Sequence, residues 1–428
     1  MTGHPQLASR LSTRELRINA GRLANHLAEI AQIGGLENGG CNRQALTQED
    51  AQGRQWFIDH CLRLGGEVRR DQMGNLFVRW AGREALPPVL MGSHLDTQPT
   101  GGKYDGVYGV LSALEVMTCL HEAGITTRYP LEIAVWTNEE GARFAPAMMG
   151  SGVFAGVFDQ EAMLAVTDRH GIAVGEALAS SQQRGDHLCA AYPLTAALEL
   201  HIEQGPVLEA EGKTIGVVQG VQGMSWFDVS LHGVTTHAGP TPMAMRHDPV
   251  AVLGPLLGRL YETVRAVDHQ ARLTIGEIRV HPGSRNTVPG EVVFSVDLRH
   301  PEQPVLDHLI EQVHELIARA DGQYGVQARI TPVWHSPAVQ FDGRCLAAIQ
   351  AASEQLGLPA MPMVSGAGHD SVYLARVAPV GMIFIPCAGG ISHNEAEAIS
   401  LADMAAGANV LLHSVLQLAG PATASLEA

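Results

Sequence analysis

Four short apolar segments of this chain are each followed by histidine or acidic residues, and helical segments separate them. The segments are 88–92, 131–136, 195–200 and 380–385. Each is short and continuously apolar, as strands are when helices cover both faces of a parallel sheet. Strands that alternate with helices predict an α/β fold with a doubly wound, mostly parallel sheet.

The pattern of elements changes at residue 217. From there the predicted elements follow the order strand, helix, strand, strand, helix, strand, at 217–231, 249–267, 271–280, 291–298, 302–320 and 327–333. This order is typical of a ferredoxin-like α+β domain. After residue 335 the alternating pattern resumes. We therefore expect a discontinuous α/β domain, residues 1–216 and 335–428, with an α+β domain inserted at 217–334.

Charge and composition exclude several classes of partner. The 428 residues include 28 lysines and arginines against 44 acidic residues, a net charge of −16. This balance argues against nucleic acid and anionic membranes, which need a cationic surface. No run of about 18 uninterrupted apolar residues predicts a membrane span. Six scattered cysteines and a first stretch, 1–16, without an apolar core favour a cytoplasmic protein with reduced thiols over a secreted one.

The predicted strand ends carry side chains that bind metal ions. They are His94 with Asp96, Glu139 with Glu140, His201 with Glu203, and His393, while Asp105 precedes a helix. In open α/β sheets, ligands bind beyond the carboxyl ends of the strands. Imidazole and carboxylate ligands without thiolate suit Zn, Mn, Co or Ni. Three histidines and two carboxylates suit two ions that share one bridging carboxylate.

Chemistry suggests roles for some of these residues. Asp96, two positions after His94, is better placed to orient that imidazole than to bind a metal. Glu139 and Glu140 are neighbours in an extended chain, so we expect one to be a ligand and the other a general base. Taken singly, a His-x-Asp pair is often structural and a Glu-Glu pair is often a solvated turn. Burying two adjacent acids is costly unless cations pair with them, which favours the metal site.

At these residues the sequence resembles the M20 metallopeptidase family and, within it, the hydantoinase/carbamoylase branch of amidases. The matching segments run in family order over nearly the whole chain, at 92–97, 104–106, 137–141, 200–206, 236–239, 286–290, 297–299, 365–370 and 392–395. The resemblance implies that residues 1–216 and 335–428 form a di-metal catalytic domain. It also implies that the insert at 217–334 is a lid and dimerisation domain.

The resemblance further implies a division of metal ligands. One ion would be held by His94 and His201, the other by Glu140 and His393, with Asp105 bridging. Glu139 would then be the general base and Asp96 its supporting partner in the site. His201 stands where many peptidase members carry an acidic ligand, which favours the amidase branch over a dipeptidase.

Substrate contacts are implied in the same way. His237 would stabilise the oxyanion in the site of a partner subunit, and Gln204 would contact the substrate near the metal. Arg299 and Asn286 would bind the substrate carboxylate, because arginine forms bidentate pairs with carboxylates. Without the resemblance, Arg299 would be interpreted as a surface cation.

The implied activity is hydrolysis of N-carbamoyl-L-amino acids by a homodimer with two divalent ions per subunit. The substrate is expected to be a small ureido acid, and the insert is expected to close over it. The alternatives are an allantoate amidohydrolase, a β-ureidopropionase, a peptidase or a non-catalytic metal-binding protein. No residue separates the ureido substrates. His369 and Asp370 follow a glycine-rich loop and are left outside the catalytic set because they can be structural.

Overall fold

The computed structural model describes residues 13–420, which form two compact units. Unit 1 comprises the described residues up to Gln219 and from Gln340 onwards, and unit 2 comprises Gly220–Val339. The prediction that no secretory leader is present concerns residues 1–16, of which residues 1–12 lie outside the described range.

Unit 1 begins with a mixture of helices and strands. In chain order they are α1 (Ala20–Ile30), α2 (Gln48–Arg63), β1 (Glu67–Arg70), β2 (Leu76–Trp80), β3 (Val89–His94), α3 (Val107–Glu122), β4 (Leu131–Trp136), α4 (Met149–Phe154), α5 (Gln160–Leu164), α6 (Val174–Ser180), β5 (Ala196–Ile202), α7 (Val207–Ala210) and β6 (Ile215–Val221). Side-chain caps fix several helix starts. Thr47, for example, accepts the backbone N–H of Asp50 at the start of α2.

Unit 2 contains β7 (Gly223–His232), β8 (Thr236–His237), α8 (Pro249–Val267), β9 (Arg272–Thr274), β10 (Ile278–His281), β11 (Thr287–Val288), β12 (Glu291–His300), α9 (Gln303–Ala320) and β13 (Gln327–Ser336). The chain then completes unit 1 with β14 (Val339–Gln340), α10 (Gly343–Gln355), β15 (Ala360–Ser365), α11 (Ser371–Leu374), β16 (Val380–Ile385) and α12 (Leu401–Ala419).

The centre of the unit 1 sheet is parallel. Strands β4, β3, β5 and β16 lie side by side and pair in parallel, whereas β2 and β6 flank them in antiparallel pairing. Every residue of β3, β4, β5 and β16 is buried, as expected when helices cover both faces. The predicted α/β fold with a mostly parallel central sheet is confirmed.

Helix α12 is the one helix of the described residues that is long and apolar enough to cross a membrane, with a mean hydropathy of 1.2. Its most apolar stretch is 61% buried inside the protein. The helix packs against α3, α10 and β16. These contacts identify it as a core helix of unit 1.

Unit 2 contains a five-stranded sheet, two helices and a separate two-stranded sheet of β8 and β11. The strands follow the order β10-β12-β7-β13, all antiparallel, and β9 also pairs with β12. Buried and half-buried residues alternate along β12, and its inward side chains share one apolar core with α8 and α9.

Two predicted strands of the insert are each divided in the structure. The segment 217–231 forms β6 and β7, because its two parts pair in different sheets. The segment 271–280 forms β9 and β10, with the chain between them bonded to Ser295, whose side-chain oxygen accepts the backbone N–H of Glu277. Hydrophobic periodicity did not reveal either break, because both depend on pairing partners.

Candidate metal centre and active site

The metal-capable residues meet at the carboxyl edge of the parallel strands of unit 1. His94 is the last residue of β3, His201 lies near the end of β5, and Glu139 and Glu140 follow β4. His393 lies in the segment after β16, and Asp105 lies just before α3. Because parallel strands end at the same edge, side chains far apart in sequence approach one another here.

Asp105 is at the centre of the cluster and uses its two oxygens differently. Its Oδ1 lies 3.6 Å from Nε2 of His94 and 3.1 Å from Nε2 of His201. Its Oδ2 lies 3.4 Å from Nε2 of His393, which in turn lies 3.3 Å from Oε2 of Glu140. The cluster therefore has two groups of ligand atoms, His94-Asp105-His201 and Asp105-Glu140-His393.

Backbone carbonyls orient two of the histidines. Nδ1 of His94 lies 2.9 Å from the backbone oxygen of Asp96, and Nδ1 of His201 lies 2.9 Å from the backbone oxygen of Ile202. A carbonyl only accepts, so each Nδ1 carries the proton and each Nε2 keeps its lone pair for a metal. Nε2 of His201 accepts the backbone N–H of Gly106 at 3.1 Å in this structure.

The electrostatics of the cluster suit a bound cation. Hydrogen bonds with Asp105 and Glu140 raise the pKa of His393 to about 10. Burial by itself would raise the pKa of Asp105, but its contacts with His201, His393 and His94 hold it well below the ordinary range. The carboxylates therefore favour positive charge at this cluster, and a divalent ion supplies it. The imidazole and carboxylate donors, without thiolate, fit a borderline divalent metal.

Glu139 faces the first of the two groups of ligand atoms. Its Oε2 lies 3.4 Å from Nε2 of His94, and its side chain is 10% exposed. Burial raises the pKa of Glu139 well above its ordinary value, with His94 opposing the shift and Asp370 reinforcing it. A carboxyl group of raised pKa at the edge of a metal cluster is suited to accept and return a proton.

A backbone bend brings both adjacent glutamates to the site. Asn138 has φ of 57°, in the left-handed region, and its side-chain amide donates to the carbonyls of Phe144 and Pro146. The chain was expected to be extended at these two glutamates, but the left-handed conformation of Asn138 bends it just before them. Glu139 reaches His94 while Glu140 reaches His393.

The carboxylate of Asp96 contacts a different part of the site from the one expected. Its two oxygens accept the backbone N–H groups of Glu139 at 3.3 Å and Glu140 at 3.2 Å. Asp96 therefore orients the imidazole of His94 through its backbone carbonyl and not through this carboxylate. Asp96 connects the ends of β3 and β4.

Three residues of the site were missed by the sequence analysis. Gln98 donates through Nε2 to Oε2 of Glu140 at 2.7 Å. Glu397, which is 3% exposed, accepts the backbone N–H groups of Tyr104 and Asp105 at 2.8 and 3.1 Å. Ser392 donates to Asp105 or to Glu397, at 3.0 and 3.2 Å. Ser392 lies in the matching segment 392–395 but received no role there, whereas Gln98 and Glu397 have no local pattern that separates them from ordinary loop residues.

Gln204 lies at the second group of ligand atoms. Its Nε2 donates to Oδ2 of Asp105 at 2.7 Å, while its buried Oε1 has no hydrogen-bond partner among residues 13–420. An unpartnered buried oxygen is costly, so this atom marks a place for a donor from a ligand.

His369 and Asp370 lie next to the site. The rings of His369 and His201 are 4.6 Å apart, and together with Glu199 these residues form a third group of possible ligand atoms. Nε2 of His369 is 3.0 Å from the hydroxyl of Ser365, and Asp370 accepts the hydroxyl of Ser151. These hydrogen bonds are consistent with a supporting role for His369 and Asp370 next to the proposed metal ligands.

The other three sequence-predicted residues, His237, Asn286 and Arg299, belong to unit 2. The backbone N–H of Gly239 donates to Nδ1 of His237 at 3.1 Å, so the imidazole proton is on the exposed Nε2 side. The side-chain oxygen of Asn286 accepts the hydroxyl of Ser284 at 3.0 Å, which leaves its NH₂ as a donor. Arg299 pairs with Asp297 at 2.8 Å.

Comparison with known proteins identifies the family of this chain. A model of the peptidase family M20/M25/M40 matches residues 90–417. An N-carbamoyl-L-amino-acid amidohydrolase of Rhizobium meliloti is 46% identical over 409 residues, covering 94% of this chain and 97% of the relative. An allantoate amidohydrolase of Bacillus subtilis (strain 168) is 34% identical over 404 residues, covering 93% and 97%.

A solved structure agrees as well. The crystal structure of an amidase of the hydantoinase/carbamoylase family from Burkholderia multivorans matches with a TM-score of 0.90 and 45% identity, covering 94% of this chain and 98% of that one. The resemblance drawn from the motifs is confirmed, and the chain belongs to the peptidase family M20/M25/M40.

Proposed function

We propose that this protein is a metal-dependent amidohydrolase that acts on N-carbamoyl-L-amino acids. The reaction consumes water, cleaves the carbamoyl C–N bond and yields the amino acid, ammonia and carbon dioxide. The observation that carries the proposal is that the two oxygens of Asp105 face two separate groups of ligand atoms, with Glu139 beside one of them. The amidohydrolase relative, matched over 94% of this chain, supports the choice of substrate.

Two divalent ions per subunit would be held by the residues of this cluster. His94 and His201 would hold one ion, Glu140 and His393 would hold the other, and Asp105 would bridge them. When bound, such ions polarise a carbonyl group and make water a better nucleophile near neutral pH. The donor set is compatible with Zn, Mn, Co or Ni.

Glu139 would move the proton of the reaction. It accepts a proton from the water that attacks the carbamoyl carbon and returns it to the leaving nitrogen. Its buried carboxyl group, with a raised pKa, supports both halves of this role. Asp96 would keep Glu139 in place, because its carboxylate holds the backbone of both glutamates.

Other residues would bind the substrate. Gln204 offers an unpartnered Oε1 to the carbamoyl NH₂ group. His237, with its proton on Nε2, would stabilise the negative oxygen that develops in the transition state. Arg299 and Asn286 would bind the carboxylate, with the Arg299 guanidinium shared between Asp297 and the substrate.

Unit 2 would serve as the lid and dimerisation domain, so that His237 acts in the site of a partner subunit of a homodimer. In a homodimer with isologous contacts, each subunit would supply its His237 to the active site of the other. The cytoplasm is the proposed location, because the six cysteines are free and buried, as is usual in reducing compartments.

An allantoate amidohydrolase is the second candidate, since a relative of that name is 34% identical to this chain. A β-ureidopropionase would use the same chemistry. A peptidase agrees less well with His201, which stands where many peptidase members carry an acidic ligand. A protein that binds metal without catalysis agrees less well with the presence of both Glu139 and the ligand set.

The experiment is to incubate the metal-loaded protein with N-carbamoyl-L-methionine, N-carbamoyl-β-alanine and allantoate, and to measure ammonia. The Glu139→Gln variant measures the background release. We expect release from N-carbamoyl-L-methionine well above that background. Turnover of allantoate alone would overturn the proposal and establish the second candidate.

A further inference from the structure

Arg43, in the segment between α1 and α2, is a buried cation that the proposed reaction does not use. Its side chain is 0% exposed, and it forms no ion pair among residues 13–420. A buried charge without a counter-charge is costly unless polar groups surround it. Its Nη2 has no hydrogen-bond partner among the same residues. The contacts of its other two nitrogens must therefore explain why an arginine is buried here.

Those nitrogens donate to backbone carbonyls of two different elements. Nη1 donates to the oxygens of Ile30 and Ile33, at 3.0 and 2.8 Å, and lies 3.4 Å from Sγ of Cys41. Nε donates to the oxygen of Leu95 at 2.8 Å. Ile30 is the last residue of α1, where carbonyls carry partial negative charge, so the helix end offsets the charge of the guanidinium. The arginine thus connects the end of α1 to Leu95.

Leu95 directly follows β3 and lies between His94 and Asp96. Because the peptide bond is planar, a hold on the Leu95 carbonyl fixes the peptide unit that joins Leu95 to Asp96. The backbone of Arg43 holds the same segment. Its N–H donates to Oγ1 of Thr97 at 2.8 Å, and its carbonyl accepts the N–H of Thr97 at 3.0 Å. Three hydrogen bonds therefore tie this segment to Arg43.

Asp96 connects this hold to the candidate site. Its backbone carbonyl accepts Nδ1–H of His94 at 2.9 Å, and its carboxylate accepts the backbone N–H groups of Glu139 and Glu140 at 3.3 and 3.2 Å. A shift of the Asp96 backbone would therefore move a proposed ligand and the proposed base together. Arg43 forms no hydrogen bond with these side chains among the described residues, so its effect passes through the backbone.

The packing around Arg43 leaves its side chain little freedom. Gly53 lies inside α2, where glycine is normally unfavourable. A Cβ at this position would lie 3.0 Å from Cδ and 3.4 Å from Nε of Arg43. The helix therefore passes closest to the arginine at the part of the side chain that donates to Leu95.

We propose that Arg43 is a positioning residue of the metal centre, whose Nε holds the Leu95 carbonyl and thereby keeps His94 and the Asp96 carboxylate in place. The inference rests on the proposed function for its effect on turnover. Its effect on metal binding is measured without any substrate.

The Arg43→Lys variant removes this hold selectively. A lysine has a methylene group where arginine has Nε, so the Leu95 carbonyl loses its donor while a cation stays near the end of α1. Zn²⁺ affinity is measured on the metal-free protein by competition with a chromophoric chelator. We expect an affinity about 10-fold below that of the wild type, as for other residues that orient metal ligands. An unchanged affinity would overturn the proposal, even if Tm falls.

The matched control is Arg22→Lys on α1. Arg22 pairs with Glu115 and Glu122 of α3 at 2.7 Å each. Glu122 is the last residue of α3, whereas Asp105 precedes the first. We expect this variant to lower the Tm of the metal-free protein and to leave its Zn²⁺ affinity unchanged. Equal losses of affinity in Arg22→Lys and Arg43→Lys would reflect general destabilisation and refute a positioning role.

A second pair of variants keeps the test decisive if Arg43→Lys does not fold. Thr97→Val removes the oxygen that accepts the N–H of Arg43, whereas Thr97→Ser retains it. We expect a lower Zn²⁺ affinity in Thr97→Val and an affinity near that of the wild type in Thr97→Ser. Equal affinities in these two variants would contradict the inference.

Turnover separates this inference from the proposed function. In the metal-loaded protein, Arg43→Lys should lower kcat for N-carbamoyl-L-methionine with little change in KM, because Asp96 holds Glu139 and none of the proposed substrate contacts. A change confined to KM would overturn the inference. Lower Zn²⁺ affinity in Arg43→Lys and Thr97→Val, in a protein that releases no ammonia from the substrate, would uphold the positioning role and overturn the proposed function.

Discussion

The backbone carbonyl of Asp96 accepts Nδ1–H of His94 at 2.9 Å, so the residue predicted to orient this imidazole does so through its main chain. The carboxylate of Asp96 is thereby available for the backbone of Glu139 and Glu140. One residue thus holds a metal ligand with one group and the proposed base with another.

The Asp96→Asn variant tests this division of labour. An asparagine keeps one acceptor but presents an NH₂ group to the second backbone N–H, so the position of Glu139 should loosen. We expect kcat to fall by about 10- to 100-fold, as for other residues that support metal ligands. Metal content, measured by mass spectrometry, should fall less than kcat, because the carbonyl that orients His94 and the bond from Gln98 to the Glu140 side chain are unchanged. Loss of metal in proportion to activity would contradict this account.

The adjacent glutamates should respond differently to the same substitution. Glu139→Gln removes the proposed base and should lower kcat by about 10²- to 10⁴-fold while the metal content is retained. Glu140→Gln removes a proposed ligand and should weaken metal binding. Metal content and kcat are measured for both variants, so each is the control for the other. Equal metal loss in both would show that Glu139 is a ligand as well.

Glu397 should act as a positioning residue for Asp105. Glutamine at this position retains an oxygen that accepts the N–H groups of Tyr104 and Asp105, whereas alanine leaves both without an acceptor. We expect Glu397→Ala to lower metal affinity by about 10- to 100-fold and Glu397→Gln to restore most of it. Metal titration of the chelator-treated proteins checks this. Equal losses in the two variants would mean that the charge of Glu397, not its acceptor geometry, matters.

Removal of metal should lower stability as well as activity. Without a metal ion, the carboxylates and imidazoles of the cluster lack the cation that they would bind in common. An ion that binds only the folded state stabilises that state by about 2.7 kcal/mol when its concentration is 100 times its Kd. We expect chelator treatment to abolish hydrolysis and lower Tm, and Zn, Mn, Co or Ni to restore Tm to different extents. In Glu140→Gln the recovery of Tm should be smaller. An unchanged Tm on chelation would argue against a metal in this cluster.

We expect the contribution of Asp168 to the free energy of unfolding to depend on pH. Burial would raise the pKa of Asp168, but the N–H groups of Ile172 and His170 and the guanidinium of Arg143 outweigh it and lower the pKa below its ordinary value. The stabilisation is therefore complete above the ordinary pKa of about 4 and is lost as the pH falls through the lower folded-state value.

The Asp168→Asn variant measures this contribution. We expect it to lower the free energy of unfolding by about 1 kcal/mol at pH 7, with the difference from wild type shrinking towards pH 3. Urea unfolding at the two pH values gives both numbers. Asp186→Asn, at an exposed position, is the control and should change little. A difference that grows on acidification would reverse the assigned sign.

Much of the fold could be predicted because its cause is local. The central strands are short, apolar and buried on both faces, so composition alone marks them as members of a covered parallel sheet. Once those strands are parallel, His94, Glu140 and His201 must come to one edge. The breaks between β6 and β7 and between β9 and β10 were missed, because a strand ends where its hydrogen-bond partner changes.

The sequence by itself determined which side chains arrive at the carboxyl edge of the sheet, since strand length and alternation with helices are properties of short segments. Tertiary structure decided what each side chain does there. The left-handed backbone at Asn138 sends two adjacent glutamates to different histidines, and Glu397 reaches Asp105 from a distant loop. Such contacts depend on loop dihedral angles and on hydrogen bonds between remote residues, which hydrophobic periodicity does not encode.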